Sequence, residues 1–326
     1  MFMDRYFLAW WNLENLFDIE NAEGRSDKLN RTISNELKGW TSPVLHQKLA
    51  NLASIINQMN DGQGPDLLGV CEVENKRVIE LLLSSLSLKK RRYKVIHQDM
   101  KDERGIDIAF IYDDKVFGLD KKPNLFSVEI MKRHATRNIL QVNFKTRKKG
   151  NRVVLIGNHW PSRSGGQYES EPFRMLAGET LSYWMKRIQS IYGDTVPVLV
   201  MGDFNDEPFN RSLTEYALSV RQLHKVIKGR NPYLYNLMYP LLNAGSGTIA
   251  FDSGCLLIDQ IMVSKGMVLS EEAVGIDCST IRIESFPEMV NRSGEPVRFG
   301  RPSQKSSFNL KGFSDHLPVT AVITER

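Results

Sequence analysis

The sequence of 326 residues predicts an α/β fold that forms one domain over residues 1–326. Short apolar runs alternate with segments whose apolar residues recur at helical spacing, and turn-forming residues separate the two kinds. Runs typical of strands lie near both ends of the chain, and no Pro-, Gly- or Ser-rich linker divides it. With 41% hydrophobic and 25% charged residues, the composition is that of a globular protein with a sizeable core.

Four segments are predicted as helices. The first begins at Ser42-Pro43 and ends at Asp61-Gly62, and both pairs are typical of helix boundaries. Ser170 is the predicted N-cap of the longest helix. The predicted helices cover residues 42–62, 76–86, 172–191 and 212–218.

Strands are predicted where a short apolar run lies between turn signals. They cover residues 6–11, 66–73, 93–97, 106–112, 125–131, 138–144, 153–158, 196–201, 256–263 and 319–323. Two segments, 229–254 and 281–312, are rich in Gly, Pro, Asn and Ser and resist assignment. Loops of this length inside a compact domain are usually functional or mobile.

Composition narrows the class of protein. Cys71, Cys255 and Cys278 lie in or beside apolar runs without metal-ligand spacing, so we expect buried free thiols in a reducing compartment. Neither a signal peptide nor an apolar run of membrane length is visible, which favours a cytoplasmic location and no transmembrane segment. The net charge of +5 leans towards a polyanionic partner, although the basic runs lie in predicted turns. We expect a monomer.

Polar residues that can carry chemistry stand at the ends of several predicted strands. Glu72 ends an apolar run, where a carboxylate must be paired, solvated or bound to a metal. Asp259 lies inside an apolar run and therefore needs a buried partner. The others have structural alternatives when taken singly. Asn12 can cap a turn, His159 can be a hydrogen-bonded core histidine, and Asp315-His316 can form a turn.

As a set, these residues supply what phosphoryl transfer requires. Mg²⁺ prefers oxygen ligands and commonly takes one or two carboxylates together with phosphate oxygens. Glu72 and Asp315 fit that role, with Asn12 or Glu14 beside them, and no cysteine–histidine cluster indicates zinc. The reaction also needs a base for the attacking water and neutralisation of the phosphate oxygens. The residues that can provide these functions are Asp203, Asn205, His159, His316 and an orienting Asp259.

The ordered set of motifs resembles the endonuclease/exonuclease/phosphatase superfamily. Its members include deoxyribonuclease I, exonuclease III, apurinic endonucleases, neutral sphingomyelinases and inositol polyphosphate phosphatases. Each motif alone is weak, but the ordered set spans nearly the whole chain and is specific. In order, the motifs are Asn12-Leu13-Glu14-Asn15, Glu72, His159-Trp160-Pro161-Ser162-Arg163, Gly202-Asp203-Phe204-Asn205, Asp259 and Ser314-Asp315-His316.

The resemblance implies a four-layer α/β sandwich, in which two mixed β-sheets pack face to face with helices outside and the site at one end. It implies a site that uses Mg²⁺, or alternatively Mn²⁺. Glu72 would be the principal ligand, with Asn12, Glu14 and Asp315 nearby as direct or water-mediated ligands.

The resemblance also implies a role for each remaining residue. Asp203 would activate or orient the attacking water, and Asn205 would fix that water or the phosphate. His316, oriented by Asp259, and His159 would contact phosphate oxygens from two sides. Either Asp203 or the Asp259–His316 pair would be the general base, and both alternatives stay open. Further expected phosphate contacts are Arg137, Arg163 and Arg104.

The substrate is less constrained, because this superfamily acts on several kinds of phosphate ester. The basic charge and the arginines favour a nuclease or phosphodiesterase that acts on nucleic acid, DNA first. A phosphatase or lipid phosphodiesterase is the second hypothesis, and a non-catalytic binding module is the third. The one candidate for membrane docking is residues 232–242, and packing of this loop on the core is the preferred interpretation.

Overall fold

The computed structural model describes residues 3–25, 27–33, 37–102, 104–131, 136–244, 247–251, 254–269, 271–300 and 308–326. Within these ranges the helices are α1 (Asp27–Ile33), α2 (Ser42–Gly62), α3 (Lys76–Ser84), α4 (Gln167–Tyr192), α5 (Leu223–Lys228) and α6 (Lys265–Val268). A π-helical turn covers Ser212–Tyr216, and 3₁₀ turns cover Tyr239–Ala244 and Pro287–Met289.

The strands alternate with these helices and are numbered along the chain. They are β1 (Asp4–Leu16), β2 (Leu67–Val73), β3 (Tyr93–His97), β4 (Asp107–Asp113), β5 (Phe117–Leu119), β6 (Leu125–Val128), β7 (Ile139–Thr146), β8 (Arg152–His159), β9 (Val198–Asp203), β10 (Ser219–Val220), β11 (Leu234–Asn236), β12 (Ile249–Phe251), β13 (Gly254–Leu256), β14 (Asp259–Val263), β15 (Val274–Ile283) and β16 (Val319–Glu325).

These strands form two large mixed sheets and one hairpin. The first sheet has the order β15-β16-β1-β2-β4-β3, in which only β1 and β2 run parallel. The second has the order β10-β11-β14-β9-β8-β7-β5, with β6 also paired to β7. In the second sheet β8 and β9 run parallel, as do β10 and β11. Strands β12 and β13 pair with each other outside the two large sheets, and Ile249 of β12 also forms an isolated antiparallel bridge with His316.

The two large sheets pack face to face. Alternate residues of each strand point to one face of a sheet, so each strand contributes one row of side chains to the space between the sheets. Trp10 and Phe110 of the first sheet share one buried apolar cluster with Leu155 and Met201 of the second. Gly69 lies at a close approach, because a Cβ there would meet Trp10 at 2.6 Å and the sulfur of Met201 at 2.9 Å.

Helices cover the outer face of each sheet. Leu49 and Ile56 of α2 pack with Val70 on the outside of the first sheet. Leu181 of α4 packs with Val200 on the outside of the second sheet. The result is the predicted four-layer α/β sandwich with two mixed sheets inside, so the expected fold class is confirmed.

Several predicted boundaries differ from the structure. The longest helix begins at Gln167 rather than at Pro172, and Ser170 lies inside it instead of capping it. The residue before this helix is Gly166 with φ of 102°, a conformation that favours glycine, so the chain turns there. The predicted strand 256–263 is two strands, β13 and β14, because the chain bends between Leu256 and Asp259.

The two unassigned segments contain regular structure in their described parts. Residues 229–254 carry β11 and β12, and Leu237 and Met238 are buried in the core between the sheets. The preferred interpretation of residues 232–242 as a loop packed on the core is therefore confirmed. Residues 281–312 include the end of β15, which is an edge strand. Its buried and exposed residues do not alternate regularly, so the sequence shows no strand period there. Residues 245–246, 252–253 and 301–307 of these segments lie outside the described residues.

The cysteines differ in their exposure. Cys71 is buried between the sheets as expected, but Cys255 and Cys278 are exposed, and that part of the prediction is wrong. Cys255 lies on the β12–β13 hairpin and Cys278 on the edge strand β15, and both elements lie at the surface. Among the described residues, none of the helices has the length and apolar character needed to cross a membrane.

The close contact at Gly69 predicts a large effect of one methyl group. We expect Gly69→Ala to lower the free energy of unfolding by about 1–3 kcal/mol, because the added Cβ overpacks the space between the sheets. Gly254→Ala is the matched control, since no atom lies within 4 Å of its added Cβ. Urea titrations of the two variants measure the difference. Equal stability of both variants would contradict the packing described here.

Candidate active site

Three predicted site residues form one row across the second sheet. His159 ends β8, Asp203 ends β9, and the two lie opposite each other in the parallel pairing of these strands. Asp259 begins β14 and lies opposite Asp203 on the other side. Hydrogen-bonded neighbours in a sheet have adjacent side chains, so the strand register brings a histidine and two carboxylates together.

The first sheet supplies the other side of the site. Asn12 of β1 pairs with Cys71 of β2, and Glu72 follows directly. His316 lies just before β16, where Val319 pairs with Trp10 of β1. All of these positions are at the same end of the sandwich. Side chains of the two sheets contact each other at this end, as the bonds from Asn12 to Asp203 and between His316 and Asp259 show.

Asp203 connects the site residues of the second sheet with those of the first. Its Oδ2 accepts a hydrogen bond of 3.0 Å from the amide of Asn12, across the gap between the sheets. Its Oδ1 accepts one of 2.9 Å from the backbone N–H of Asn205. Oδ2 also lies 3.8 Å from Nε2 of His159 and 3.9 Å from Nε2 of His316. Burial first, and then the charge of Asp259, raises the pKa of Asp203 to about 7.

His316 is paired with Asp259, as predicted from the resemblance. Their Nδ1 and Oδ2 atoms are 2.6 Å apart, and the other oxygen of Asp259 accepts a 3.2 Å bond from the indole N–H of Trp10. Burial lowers the pKa of His316, but the charges of Asp259, Asp203 and Asp315 outweigh it and hold that pKa well above its ordinary value. His316 is therefore an imidazolium whose Nε2 points towards Asp203.

His159 has the opposite charge preference. Burial, followed by the charges of Arg137 and Arg104, holds its pKa well below the ordinary value, so the ring is neutral. Its Nε2 lies 3.7 Å from Oε1 of Glu72 and 3.8 Å from Asp203. Among the described residues none bonds to its buried Nδ1. The site thus holds one charged and one neutral histidine on two sides of the same carboxylate.

Strained backbone accompanies the site. Glu14, Asn15, Glu72 and Asn205 all have φ between 51° and 59°, a region that side chains with a Cβ rarely adopt. Such conformations cost free energy and persist where surrounding contacts over-determine them, commonly at functional sites. At Asn205 the contacts are visible, because its amide donates to the carbonyl of Trp160 at 3.0 Å.

Glu14 is held by several neighbouring residues. One carboxylate oxygen binds the guanidinium of Arg298 at 2.8–2.9 Å, and the other accepts the backbone N–H groups of Phe299 and Gly300. The buried ammonium of Lys48 donates to the backbone carbonyl of Glu14 at 2.6 Å. These partners show that Glu14 supports the neighbouring loop, and its role as a direct or water-mediated metal ligand stays a prediction.

Asp315 remains beside the site. Its Oδ2 lies 3.3 Å from Arg298, and its Oδ1 lies 3.9 Å from Nε2 of His316. Burial first, and then the charge of Glu14, raises the pKa of Asp315 to about 6, with Glu72 adding to the effect. Carboxylates therefore repel one another here, and a cation would relieve that repulsion.

The three predicted arginines fall into two groups. Arg163 donates to the carbonyl of Asn205 at 2.6 Å and to Asp206 at 3.0 Å, so it supports the loop after β9. Arg137 donates to the carbonyl of Trp160, the residue after His159, at 3.0 Å, and Arg104 donates to the side chain of Asn15 at 2.6 Å. Their roles as phosphate contacts stay predictions.

The donor set fits a hard divalent cation. Glu72, Asp203, Asp315 and the amide of Asn12 offer oxygen atoms, and Mg²⁺ prefers such ligands. A second group, His97 with Asp99 and Asp107, could also hold a metal by spacing. There the imidazole bonds Asp107 through Nε2 at 3.1 Å and faces Asp99 through Nδ1 at 3.8 Å. One ion cannot use both ring nitrogens, and the carboxylate of Asp99 is exposed, so the geometry favours a hydrogen-bonded pair of His97 and Asp107.

Sequence reasoning missed the residues that hold the site in place. Trp10 binds Asp259, the Trp160 carbonyl binds Asn205, and Arg298 links Glu14 to Asp315. Only the tryptophans gave a signal, since each stands beside a predicted catalytic motif. Arg298 lies in a segment without assigned structure, and nothing in its neighbours indicates this contact.

Comparison with known proteins decides the family. A model described as "Endonuclease/Exonuclease/phosphatase family" matches residues 7–325. The chain belongs to this family. Its members hydrolyse phosphate esters, so the chain is a phosphoesterase of this family, and the resemblance inferred from the ordered motifs is confirmed. Among curated protein sequences, none matches the chain significantly.

Solved structures share the fold with this family member. An endonuclease/exonuclease/phosphatase family protein from Bacteroides thetaiotaomicron has a TM-score of 0.58 at 14% identity and covers 100% of both chains. A mannosyl-6-phosphatase of the same species has a TM-score of 0.57 at 15% identity, covering 98% of this chain and 99% of the other. The human Nocturnin catalytic domain with bound sulfate has a TM-score of 0.55 at 17% identity, covering 99% and 98%. At these identities the likeness shows the fold.

The charge on His316 is predicted to depend on Asp259. In Asp259→Asn protein without metal, we expect the pKa of His316 to fall relative to wild type, because the neutral amide no longer stabilises the imidazolium. NMR titration of the ring protons measures this shift. Asp194→Asn, which changes an exposed carboxylate in the loop before β9, is the matched control and should leave the pKa of His316 unchanged. In Asp259→Asn, an unchanged pKa of His316 would show that Asp259 does not set its charge.

Proposed function

We propose that this family member is a divalent-metal-dependent phosphodiesterase that hydrolyses nucleic acid, with DNA as the favoured substrate. The observation that carries the proposal is the position of Asp203. It lies between a neutral and a charged histidine, is held by Asn12 and faces the carboxylate-rich side of the site. A phosphate placed there meets a base, two imidazoles and a cation-binding group at once.

Glu72 and Asp315, with the amide oxygen of Asn12, would hold Mg²⁺, and Mn²⁺ could replace it. Such an ion, when bound, neutralises charge on the phosphate and stabilises the leaving oxygen. In the structure the oxygen of Asn12 accepts the backbone N–H of Glu14 at 3.0 Å, while its amide nitrogen donates to Asp203. Arg298 sits behind Asp315 and fixes the direction of its carboxylate.

Asp203 is the proposed general base. Its pKa of about 7 lets it accept a proton from water near neutral pH, and its two hydrogen bonds fix its orientation. His316 does not suit this role, because the charge of Asp259 keeps it protonated. Its Nε2–H instead donates to a non-bridging phosphate oxygen, where it stabilises the developing negative charge. His159 and Asn205 hold the phosphate from the other side.

The net charge of +5 and the arginines near His159 support a polyanionic substrate. We further propose that residues 1–326 act as one domain and as a monomer, because both sheets of one chain complete the site.

A phosphatase acting on a small phosphate ester is the second candidate, and one observation favours it. A cavity of about 950 Å³ lies along the chain after Glu72, and six carboxylates line it. They outnumber its four arginine and lysine side chains, and this balance favours a small ester over a long duplex that carries many phosphates. The lining carboxylates are Asp18, Glu23, Glu74, Asp99, Asp102 and Asp107.

The nuclease proposal predicts metal-dependent loss of supercoiled and linear DNA. We expect degradation with Mg²⁺, none with EDTA, and a loss of about 10² or more in rate for Asp203→Asn, since general bases typically contribute that much. Asp194→Asn is the matched control, because this exposed carboxylate lies in the loop before β9. Gel electrophoresis follows the products.

The outcomes separate the candidates. DNA left intact with Mg²⁺, while a small phosphate ester is turned over with the same dependence on Asp203, would replace the nuclease by the phosphatase. Full activity in EDTA would contradict the metal assignment for either substrate.

A further inference from the structure

One polar residue of the first sequence motif has no role in the proposed reaction. Asn15 follows Asn12 and Glu14 near the end of β1 and is 1% exposed. Its backbone N–H donates to Oε2 of Glu72 at 2.8 Å, and its side-chain oxygen accepts a 2.6 Å bond from Nη2 of Arg104. Asn15 therefore connects the expected principal metal ligand with an arginine that is an expected phosphate contact.

Arg104 differs from the other arginines around the site because no carboxylate among the described residues pairs with it. Within that part of the chain, only the Asn15 side chain bonds to its guanidinium, and the residue is partly buried. A neutral amide holds the group without cancelling its charge, so its remaining N–H groups can bind a phosphate. The arginines that form ion pairs are Arg137 with Asp102, Arg163 and Arg174 with Asp206, and Arg298 with Glu14 and Asp315.

The backbone of Arg104 is fixed as well as its guanidinium. Its N–H donates to Oδ1 of Asp102 at 2.9 Å, and the N–H of Gly105 donates to the carbonyl of Asp102 at 3.1 Å, which closes a tight turn. This turn positions the start of the arginine side chain, and Asn15 positions its charged end. Loss of the asparagine side chain would therefore free only the end that would meet a phosphate.

Asparagine is a costly residue at position 15. Its φ of 52° lies in a region that side chains with a Cβ rarely adopt, although asparagine tolerates it better than most residues. Its amide nitrogen is buried, and none of the described residues accepts a bond from it, which also costs free energy. Glycine would avoid both costs and keep the backbone bond to Glu72. The bond to Arg104 is what the asparagine side chain adds.

We propose that Asn15 is a positioning residue that directs the guanidinium of Arg104 towards the phosphate bound beside Glu72. The inference rests on the proposed function, because its target is a phosphate held between Glu72 and His159. After burial and the charge of Arg137, the charge of Arg104 is the next cause that lowers the pKa of His159. Asn15 thus has two separate functions. Its backbone N–H orients the expected metal ligand, and its side chain orients the phosphate contact.

Asn15→Gly separates these functions, because it removes the side chain and keeps the backbone N–H. Isothermal titration calorimetry with inorganic phosphate and Mg²⁺ measures the phosphate affinity, and electron paramagnetic resonance of Mn²⁺ without phosphate measures the metal affinity. We expect phosphate binding to be about tenfold weaker and metal binding to be unchanged, from what one hydrogen bond to a charged group contributes. The KM for bis(4-nitrophenyl) phosphate should rise while kcat changes little, which is the pattern of lost uniform binding.

Asn60→Gly is the matched control. Asn60 also has a left-handed backbone, with φ of 54°, but it lies near the end of α2, and its amide donates to the carbonyl of Gly64. Both affinities should keep their wild-type values in this variant. Arg104→Ala completes a double-mutant cycle. It should weaken phosphate binding by itself, and Asn15→Gly should add little to it, because the two residues act through one contact.

Three results would overturn the inference. Wild-type phosphate affinity in Asn15→Gly would show that only the backbone conformation matters at this position. An equal fall of metal and phosphate affinity would show a general effect on the loop. A full effect of Asn15→Gly in the Arg104→Ala background would show that Asn15 does not act through Arg104. Absence of both phosphate binding and phosphodiester turnover in the wild-type protein would contradict the proposed function itself, and the inference with it.

Discussion

The hydrogen-bonded pair of Asp259 and His316 is the interaction on which the site depends. Asp259 comes from the second sheet and His316 from the chain that enters the first, so the pair exists only when both sheets are packed. Asp259 is fully buried, and removing one partner of a buried ion pair costs about 3–5 kcal/mol because the other charge is left uncompensated. The same pair holds the pKa of His316 well above its ordinary value, which supports the proposal that Asp203 is the general base.

Packing and chemistry are coupled through Trp10. Its ring fills the space beside Gly69 between the sheets, and its indole N–H binds the second oxygen of Asp259. The packing of Trp10 between the sheets therefore helps to position the carboxylate of Asp259. That carboxylate in turn orients the ring of His316 through its hydrogen bond to Nδ1. Asn12 adds a second bond across the gap, to Asp203. A site shared by two sheets in this way is stiff, which suits a reaction that needs fixed charges around a phosphate.

Much of this could be predicted from the sequence, because the candidate site residues stand at strand ends, after apolar runs that are easy to find. Their order along the chain then indicated the family and the four layers. The contacts that could not be predicted join residues that are distant in the sequence. Glu14 binds Arg298, which is 284 positions away, and Arg163 binds the loop of Asn205. No local pattern reports such partners. The exposure of Cys255 likewise follows from its place on a hairpin rather than from its apolar neighbours.

The most direct test of the account is a crystal structure of the wild-type protein grown with Mn²⁺ and inorganic phosphate, with anomalous scattering used to place the metal. We predict a manganese peak at the carboxylate of Glu72 and a phosphate in contact with Nε2 of His316 and Nε2 of His159. A manganese peak at His97 and Asp107, with none at Glu72, would contradict it. So would a phosphate bound away from both histidines.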